Sequence, residues 1–306
     1  MPNFLGLRGG MVDAIDSKSI VCMDVSVRVG PEVPHNLKIQ RMLDYINFLK
    51  AALLGLVESL TEFLPVSSTA HLLIASQLID FNAIQNSTFE IVIQFGAIAA
   101  ILVIYRQRFF DLALKINEKK QQKFALNLAA AFLPAAIIGA LFHDFIKQTF
   151  FSNSTIALAL IFGGFAMIAV DTKPRKSSCD DLDKIKLSTA FLIGLFQCVA
   201  MIPGVSRSGA TIIGALLCGL NRKTATEFSF FLAVPTIGAA SFYDLIKNLD
   251  NLDSSSFSLI LVGLLSSFFS AFFVIKWFIS FVSKNNFLPF AFYRIVLGCL
   301  ILFFLI

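Results

Sequence analysis

Charge is scarce in this chain: of 306 residues only 15% are Asp, Glu, Lys or Arg, while 57% are hydrophobic. Soluble domains carry roughly 25% charged residues, so a soluble globular class is excluded and a bilayer protein is indicated. Interfacial aromatics are few as well, one Trp and four Tyr beside 34 Phe. The aromatic mass therefore belongs in the lipid zone rather than in a belt at the headgroups. The net charge of +5 is too small to suggest a nucleic-acid partner. Its basic residues sit mainly in short loops, where they orient a chain in a membrane. Cysteine supplies neither a disulfide framework nor a metal-type spacing. Cys198, Cys218 and Cys299 lie inside apolar runs, where a thiol behaves as a small hydrophobe. Residues 1–41 mix charge, Gly and Pro and lack the unbroken apolar core of a signal peptide. They read as an N-terminal extension, either a disordered tail or the product of a start placed upstream of Met42.

From Leu43 onward the chain is membrane material, a single integral domain over 42–306. A spanning helix needs roughly 20 mostly apolar residues. Six stretches fit one crossing each: Phe89–Tyr105, Phe124–Phe142, Ser154–Val170, Phe228–Tyr243, Phe257–Ile275 and Phe287–Ile306. Arg294 lies in the last and is expected to snorkel from a helix end. Ala51–Ile79 and Leu187–Leu220 are too long for one crossing and cramped for two. Each is broken in its middle, by Phe63-Leu-Pro-Val-Ser-Ser-Thr69 and by Ile202-Pro-Gly-Val-Ser-Arg-Ser-Gly-Ala-Thr211. Proline ends a helix, and non-helical backbone at membrane depth survives only where protein or a wet cavity satisfies it. Both stretches read as re-entrant helical hairpins.

The hairpins match each other at an offset of 139 residues. Ala51, Leu53, Gly55, Leu56, Val66 and Ser67 meet Ala190, Leu192, Gly194, Leu195, Val205 and Ser206. The expected architecture is an all-α polytopic membrane protein built as an inverted repeat, about 43–172 and 187–306. Each half supplies one re-entrant hairpin and three transmembrane helices. Three crossings is an odd number, so the second half enters upside down, and such repeats place their site near the midplane. Arg106, Arg108, Lys115, Lys119, Lys120 and Lys123 share one loop; Lys173, Arg175, Lys176, Lys184 and Lys186 share another two crossings later. Both loops then face the cytoplasm, and the first hairpin opens to the outside. Lys38, Arg41 and Lys50 fit this orientation badly.

An ionised side chain at mid-membrane costs about 2.5–3.5 kcal/mol, and the ones present cluster in the hairpins. Glu58 and Glu62 are four apart and share a helix face. Ser67, Ser68 and His71 follow the first break, with His71 three and four residues beyond the serines. Arg207 is the only charge in the second hairpin, flanked by Ser206, Ser208 and Thr211. The combination suggests phosphoryl transfer. A forked cation binds phosphate oxygens in pairs, and the Gly204–Ser206 backbone amides at a Gly-rich break add a positive field. Ser68 is a candidate nucleophile with His71 as its base. Glu58 and Glu62 would repel a diphosphate unless a divalent cation, Mg or Ca, bridges them or one stays protonated. Duller roles compete: Arg207 pairing with Glu58 or Glu62 merely to join the hairpins, and hydroxyls gluing helices together.

Glu58-Ser-Leu-Thr-Glu62-Phe-Leu-Pro-Val-Ser-Ser-Thr-Ala-His71 and Pro203-Gly-Val-Ser-Arg-Ser-Gly-Ala-Thr211 resemble the two signature motifs of the undecaprenyl-diphosphatase family, the bacitracin-resistance proteins. The similarity runs from about Met42 to the C-terminus and includes Phe228-Ser-Phe-Phe-Leu-Ala-Val-Pro235 and Pro289-Phe-Ala-Phe-Tyr-Arg294. It implies hydrolysis of undecaprenyl diphosphate in a bacterial inner membrane, carrier recycling for wall polymers, and bacitracin resistance. It assigns the functional positions to Glu58, Glu62, Ser68, His71 and Arg207. Ala70 stands where the family usually has Gly. The partners implied are the lipid substrate and the bilayer, with a homodimer as an added expectation. The rival reading is a flippase for a lipid phosphate, since broken helices in inverted repeats also describe transporters.

Overall fold

Two short breaks, each at a Pro beside small residues, decide how this chain folds. A computed structural model describes residues 35–81, 88–172, 179–247 and 254–305. One compact unit is Met42–Ile306; of the extension expected over 1–41, residues 1–34 lie outside the described residues and 35–41 are helical. The helices run in order: α1 (His35–Glu62), α2 (Ser68–Ile79), α3 (Thr88–Val92), α4 (Gln94–Ile104), α5 (Arg106–Leu114), α6 (Lys119–Phe150), α7 (Asn153–Asp171), α8 (Leu187–Val199), α9 (Arg207–Leu217), α10 (Arg222–Lys247), α11 (Ser254–Val282) and α12 (Leu288–Phe304). No named strand occurs among the described residues, so the all-α class holds.

Both hairpins form where the Pro-containing breaks stand. The first turns between Glu62 and Ser68 and the second between Val199 and Arg207. At the far end of the first, Lys50 Nζ donates to the Asp80 carbonyl at 3.0 Å, which closes α1 against α2. Among the described residues α6, α7, α10 and α11 are long and apolar enough to cross a membrane. The expected crossing at Phe89–Tyr105 differs in detail. It is α3 and α4 joined at Ile93, and the chain then bends by 78° into α5. The sequence 106–114 places Arg106, Arg108 and Asp111 among apolar residues and has no fully buried side chain, while Phe109 and Leu112 pack partly buried against the core, so the segment turns along the bundle instead of extending α4. The sixth expected crossing, α12, has 17 residues, about 26 Å at 1.5 Å per residue, shorter than the 30 Å hydrocarbon layer.

Glycine lets the hairpins approach the long helices at backbone distance. A Cβ at Gly55 would stand 2.2 Å from the Gly263 carbonyl oxygen of α11, and one at Gly194 would stand 2.4 Å from that of Ala131 in α6. The first hairpin thus leans on α11 and the second on α6, and the two glycines are one of the matched pairs at offset 139. Ser59 and Ser267 share a hydrogen bond of 2.6 Å, and Ser266 Oγ donates to the Ala52 carbonyl at 2.6 Å. Such small-residue, hydroxyl-bonded contacts replace the hydrophobic driving force that lipid removes.

Large apolar side chains remain on the outer faces, among them Phe162, Phe165, Phe269, Phe273 and Phe303. Water would not tolerate a surface of this kind on a monomer, whereas hydrocarbon does. The chain is a membrane protein. Away from the apolar zone, Asp183 gathers Arg108 and Lys120, the latter at 3.0 Å. Partial burial alone would raise its carboxyl, but the bonds from the two cations outweigh that and hold it below its ordinary value.

Candidate active site

Ser67 and Ser206 are the last residues before α2 and α9, and both have positive φ: 72° with ψ 98°, and 73° with ψ 117°. A non-glycine residue there costs of order 1–3 kcal/mol and persists only where its surroundings over-determine it. At the second tip the cause is visible. Ser206 Oγ accepts from the Gly209 amide at 3.1 Å and meets Ser208 Oγ at 3.1 Å. Ser208 Oγ donates to the Leu64 carbonyl of the first tip at 2.9 Å. The tips are therefore tied to each other.

Between them lies a cavity of about 160 Å³, lined by Glu62, Ser67, Ser68, Thr69, Gln94, Ala200, Pro203, Gly204, Ser206, Arg207 and Ile237. The residues that open α2 and α9 both reach it, so two helix N-termini add positive field to the space beside Arg207. Glu62 joins the chemistry of the two tips. Ser68 Oγ donates to its Oε2 at 2.6 Å, and Arg207 Nη2 donates to its Oε1 at 2.8 Å. Glu62 closes α1 and Ser68 opens α2, so the Pro65 break is what folds the hydroxyl back onto the carboxylate. Arg207 Nη1 is held by Ser229, through the carbonyl at 2.9 Å and Oγ at 3.2 Å. Its Nε is buried and has no partner.

Several expected site residues stand elsewhere. Glu58, His71, Ser208 and Thr211 do not line the cavity. His71 does not meet Ser68. Its Nδ1 lies 2.7 Å from the Ser67 carbonyl and its Nε2 2.6 Å from the Tyr293 hydroxyl. A carbonyl can only accept, so Nδ1 carries the proton, and the neutral ring then accepts the Tyr293 O–H at Nε2. Both ring nitrogens are engaged, and the acceptor for Ser68 is Glu62. Thr211 braces the cation from behind: its Oγ1 meets Ser229 Oγ at 2.7 Å and the Arg207 carbonyl at 3.0 Å. Ser208 ties the tips, as above. Of the Gly204–Ser206 amides expected to face an anion, the Val205 N–H is already given to the Ile202 carbonyl at 3.1 Å.

Glu58 is fully buried, and neither carboxylate oxygen has a hydrogen-bond partner, with Gln94 near it but outside bonding geometry. It lies one turn before Glu62, so the pair offers hard oxygen donors of the kind that suit Mg²⁺ or Ca²⁺. No group of three or more His, Cys, Asp or Glu able to hold a metal occurs among the described residues. Of the two carboxylates only Glu62 lines the cavity, and its oxygens are engaged by Ser68 and Arg207, so a cation held by the pair would have to displace those bonds.

Residues not singled out from the sequence also contribute. Ser229 is a lone hydroxyl in the aromatic run Phe228-Ser-Phe-Phe231, and that isolation was its signal. Arg294, expected to snorkel, is instead completely buried. Nothing in the apolar run around it could have shown where its donors go.

The family model described as bacitracin resistance protein BacA matches residues 51–300. An undecaprenyl-diphosphatase of Methylobacillus flagellatus is 47% identical over 265 residues, 85% of this chain and 98% of that one. Undecaprenyl-diphosphatase 1 of Agrobacterium fabrum is 50% identical over 256 residues, 83% and 95% of the two chains. Undecaprenyl-diphosphatase 3 of Acinetobacter baylyi is 47% identical over 260 residues, 84% and 98%.

Proposed function

Because the chain belongs to the bacitracin-resistance (BacA) family, we propose that it hydrolyses undecaprenyl diphosphate to undecaprenyl phosphate and inorganic phosphate. The observation that carries this reading is one carboxylate shared by a serine and an arginine, all three lining one cavity. A transporter for a lipid phosphate has use for the cation but none for a hydroxyl bonded to a carboxylate, and the named relatives are diphosphatases.

The mechanism follows from those contacts. The diphosphate enters between the tips, where the Arg207 fork and the two helix N-termini take the phosphate oxygens. Ser68 Oγ attacks the terminal phosphorus as its proton passes to Glu62 Oε2. The bond from that phosphorus to the bridging oxygen breaks, and undecaprenyl phosphate leaves with the electron pair. Charge gathering on the transferred group is met by Arg207, which Ser229 keeps in place. Water then attacks phosphoserine, the P–Oγ bond breaks, and the proton held by Glu62 returns to Ser68 as phosphate departs.

Glu58 and Glu62 would hold a divalent cation, Mg²⁺ or Ca²⁺, whose contribution is to offset the charge of the diphosphate. The unpartnered Glu58 carboxylate supports this assignment. Further parts of the reading are the inverted orientation of the two halves, the bacterial inner membrane, and a cavity opening to the periplasmic side. The basic loops at 106–123 and 173–186 support that orientation, and labelling single cysteines from each face of the membrane tests it. For the chemistry, purified full-length protein in detergent is given polyisoprenyl diphosphate and divalent cation. Phosphate release, with a trapped phosphoserine at Ser68, is the expected result. Release at the wild-type rate by Ser68→Ala would reject the covalent route, and no release by the wild type in any divalent cation would reject the phosphatase.

A further inference from the structure

Arg294 is the largest fully buried side chain among the described residues, and it has no carboxylate among its hydrogen-bond partners. A buried unpaired guanidinium is tolerated only when its donors are spent on good acceptors. Here the acceptors are backbone carbonyls, and their places in the fold are informative. Nη1 donates to Pro65 at 3.1 Å, in the first tip. Nη2 donates to Gly204 at 3.1 Å and Val205 at 2.8 Å, in the second. Nε and Nη2 anchor the group to α7, at Leu160 (3.4 Å) and Ala159 (3.2 Å). Pro65 and Gly204 are 139 residues apart, so one guanidinium holds corresponding carbonyls of both tips. The preceding residue, Tyr293, reaches the first tip as well, through His71 to the Ser67 carbonyl.

Space for this group is reserved by two glycines. A Cβ at Gly163 would lie 2.1 Å from Arg294 Nη2, and one at Gly209 would lie 3.0 Å from Nη1. The end of a flexible side chain usually yields to such an intrusion at little cost. In this case yielding breaks the bonds to the tips.

We infer that Arg294 is a positioning residue for the reaction: it fixes the separation and register of the two hairpin tips, and thereby the alignment of Ser68 and Glu62 with Arg207. This rests on the phosphatase reading above. Arg294 itself does not line the cavity. A lysine in its place keeps the charge but lacks the planar fork needed to bond both tips and α7 together.

The test uses full-length protein in detergent, phosphate release from polyisoprenyl diphosphate, and thermal unfolding of the same samples. R294K is expected to lower kcat about 10²-fold, the scale of a misplacement near 1 Å, while KM changes by less than about threefold. G163A leaves Arg294 chemically intact and improves helix propensity, yet is expected to reproduce that loss. The double variant should be no worse than R294K alone, because both act on one set of bonds. R222K is the structural control. It weakens the Arg222–Asp171 pair, 2.7 Å long and outside the cavity, and should lower the unfolding temperature without changing kcat of the folded protein. Wild-type kcat in either R294K or G163A overturns the inference, as does a loss that merely tracks the folded fraction. If R294K does not fold, G163A alone decides. A wild type that releases no phosphate sinks the phosphatase reading instead, a result distinguishable from either.

Discussion

The two hairpin tips share one unusual backbone conformation, at their last residue, and differ in chemistry. Ser67 and Ser206 adopt nearly the same unusual φ and stand at the same register. The next residue is Ser68 in one and Arg207 in the other, so the same turn presents a hydroxyl from one side of the cavity and a guanidinium from the other. On the preceding arms Glu58 and Glu62 have Gln197 and Met201 as counterparts at offset 139. All the acid lies on the hydroxyl side. The two breaks aim two helix N-termini at one space, and the residues that differ between them make that space asymmetric. Phosphoryl transfer requires this asymmetry, because the attacking group and the charge-stabilising group must approach the phosphorus from different directions.

The largest effect should come from erasing the chemical difference while keeping the turns. Ser68→Ala and Arg207→Met are each expected to lower phosphate release by about 10³-fold or more, with unfolding temperatures near that of the wild type. Arg207→Lys should still lose on the order of 10²-fold, because a single ammonium cannot bond Ser229, Glu62 and a phosphate in one plane. A Ser68→Ala enzyme retaining a tenth of its activity would show that the two tips are not divided in this way. Glu58→Gln separates the acidic arm from the tip itself. It is expected to abolish divalent-cation binding, read by calorimetry on the protein without substrate, while leaving the Ser68–Glu62 bond in place.

Much of this arrangement could be read from the chain before any coordinates. Pro65, Pro203 and Gly204 interrupt otherwise apolar runs, and a break at membrane depth has few physical explanations, so the hairpins and their tip residues stood out. Glu62 and Arg207 stood out for the same reason: charge in that setting needs a partner. The partners of neutral groups were hidden. Hydrogen bonds across 208 to 229 residues, Ser59 to Ser267 or Arg294 to Pro65, depend on which helices become neighbours, and an apolar helix carries almost no signal about its neighbour. His71 was assigned to Ser68 by spacing alone. Helical spacing makes two residues adjacent without saying where their donors point, and the ring turned towards Tyr293. The place of Arg294 near a helix end suggests snorkelling, but depth and burial are properties of the packed bundle, and there it is fully buried. The end of the crossing at Tyr105 is legible in the change of polarity that follows it, whereas the join at Ile93 and the helical state of 106–114 are not, because both depend on packing.

Backbone substitutions sharpen the comparison at a lower level of effect. Gly204 has φ +94°, and a Cβ there would stand 2.5 Å from the Ile156 carbonyl oxygen. Its counterpart Pro65 occupies the first tip without a positive φ. Gly204→Ala should therefore cost about 2–4 kcal/mol of stability, seen as a lower unfolding temperature. An alanine at 204 with wild-type stability would mean that the second tip has no need of its glycine.

The smallest effect separates the two serines. Both pay for a positive φ, and glycine would relieve that strain by about 1 kcal/mol at either position. Their side chains are not equally employed. Ser206 Oγ accepts the Gly209 amide and bonds Ser208, whereas Ser67 makes no side-chain cap bond. Replacing an N-cap serine by glycine loses a few tenths of a kcal/mol, and the lost contact with Ser208 loosens the tie to Leu64. Ser67→Gly is thus expected to raise the unfolding temperature, while Ser206→Gly leaves it unchanged or slightly lower. Equal gains at both sites would mean that the Ser206 bonds contribute nothing. A loss at Ser67 would mean that its hydroxyl is held by the cavity, and that the first tip is braced by its contents rather than by its own backbone.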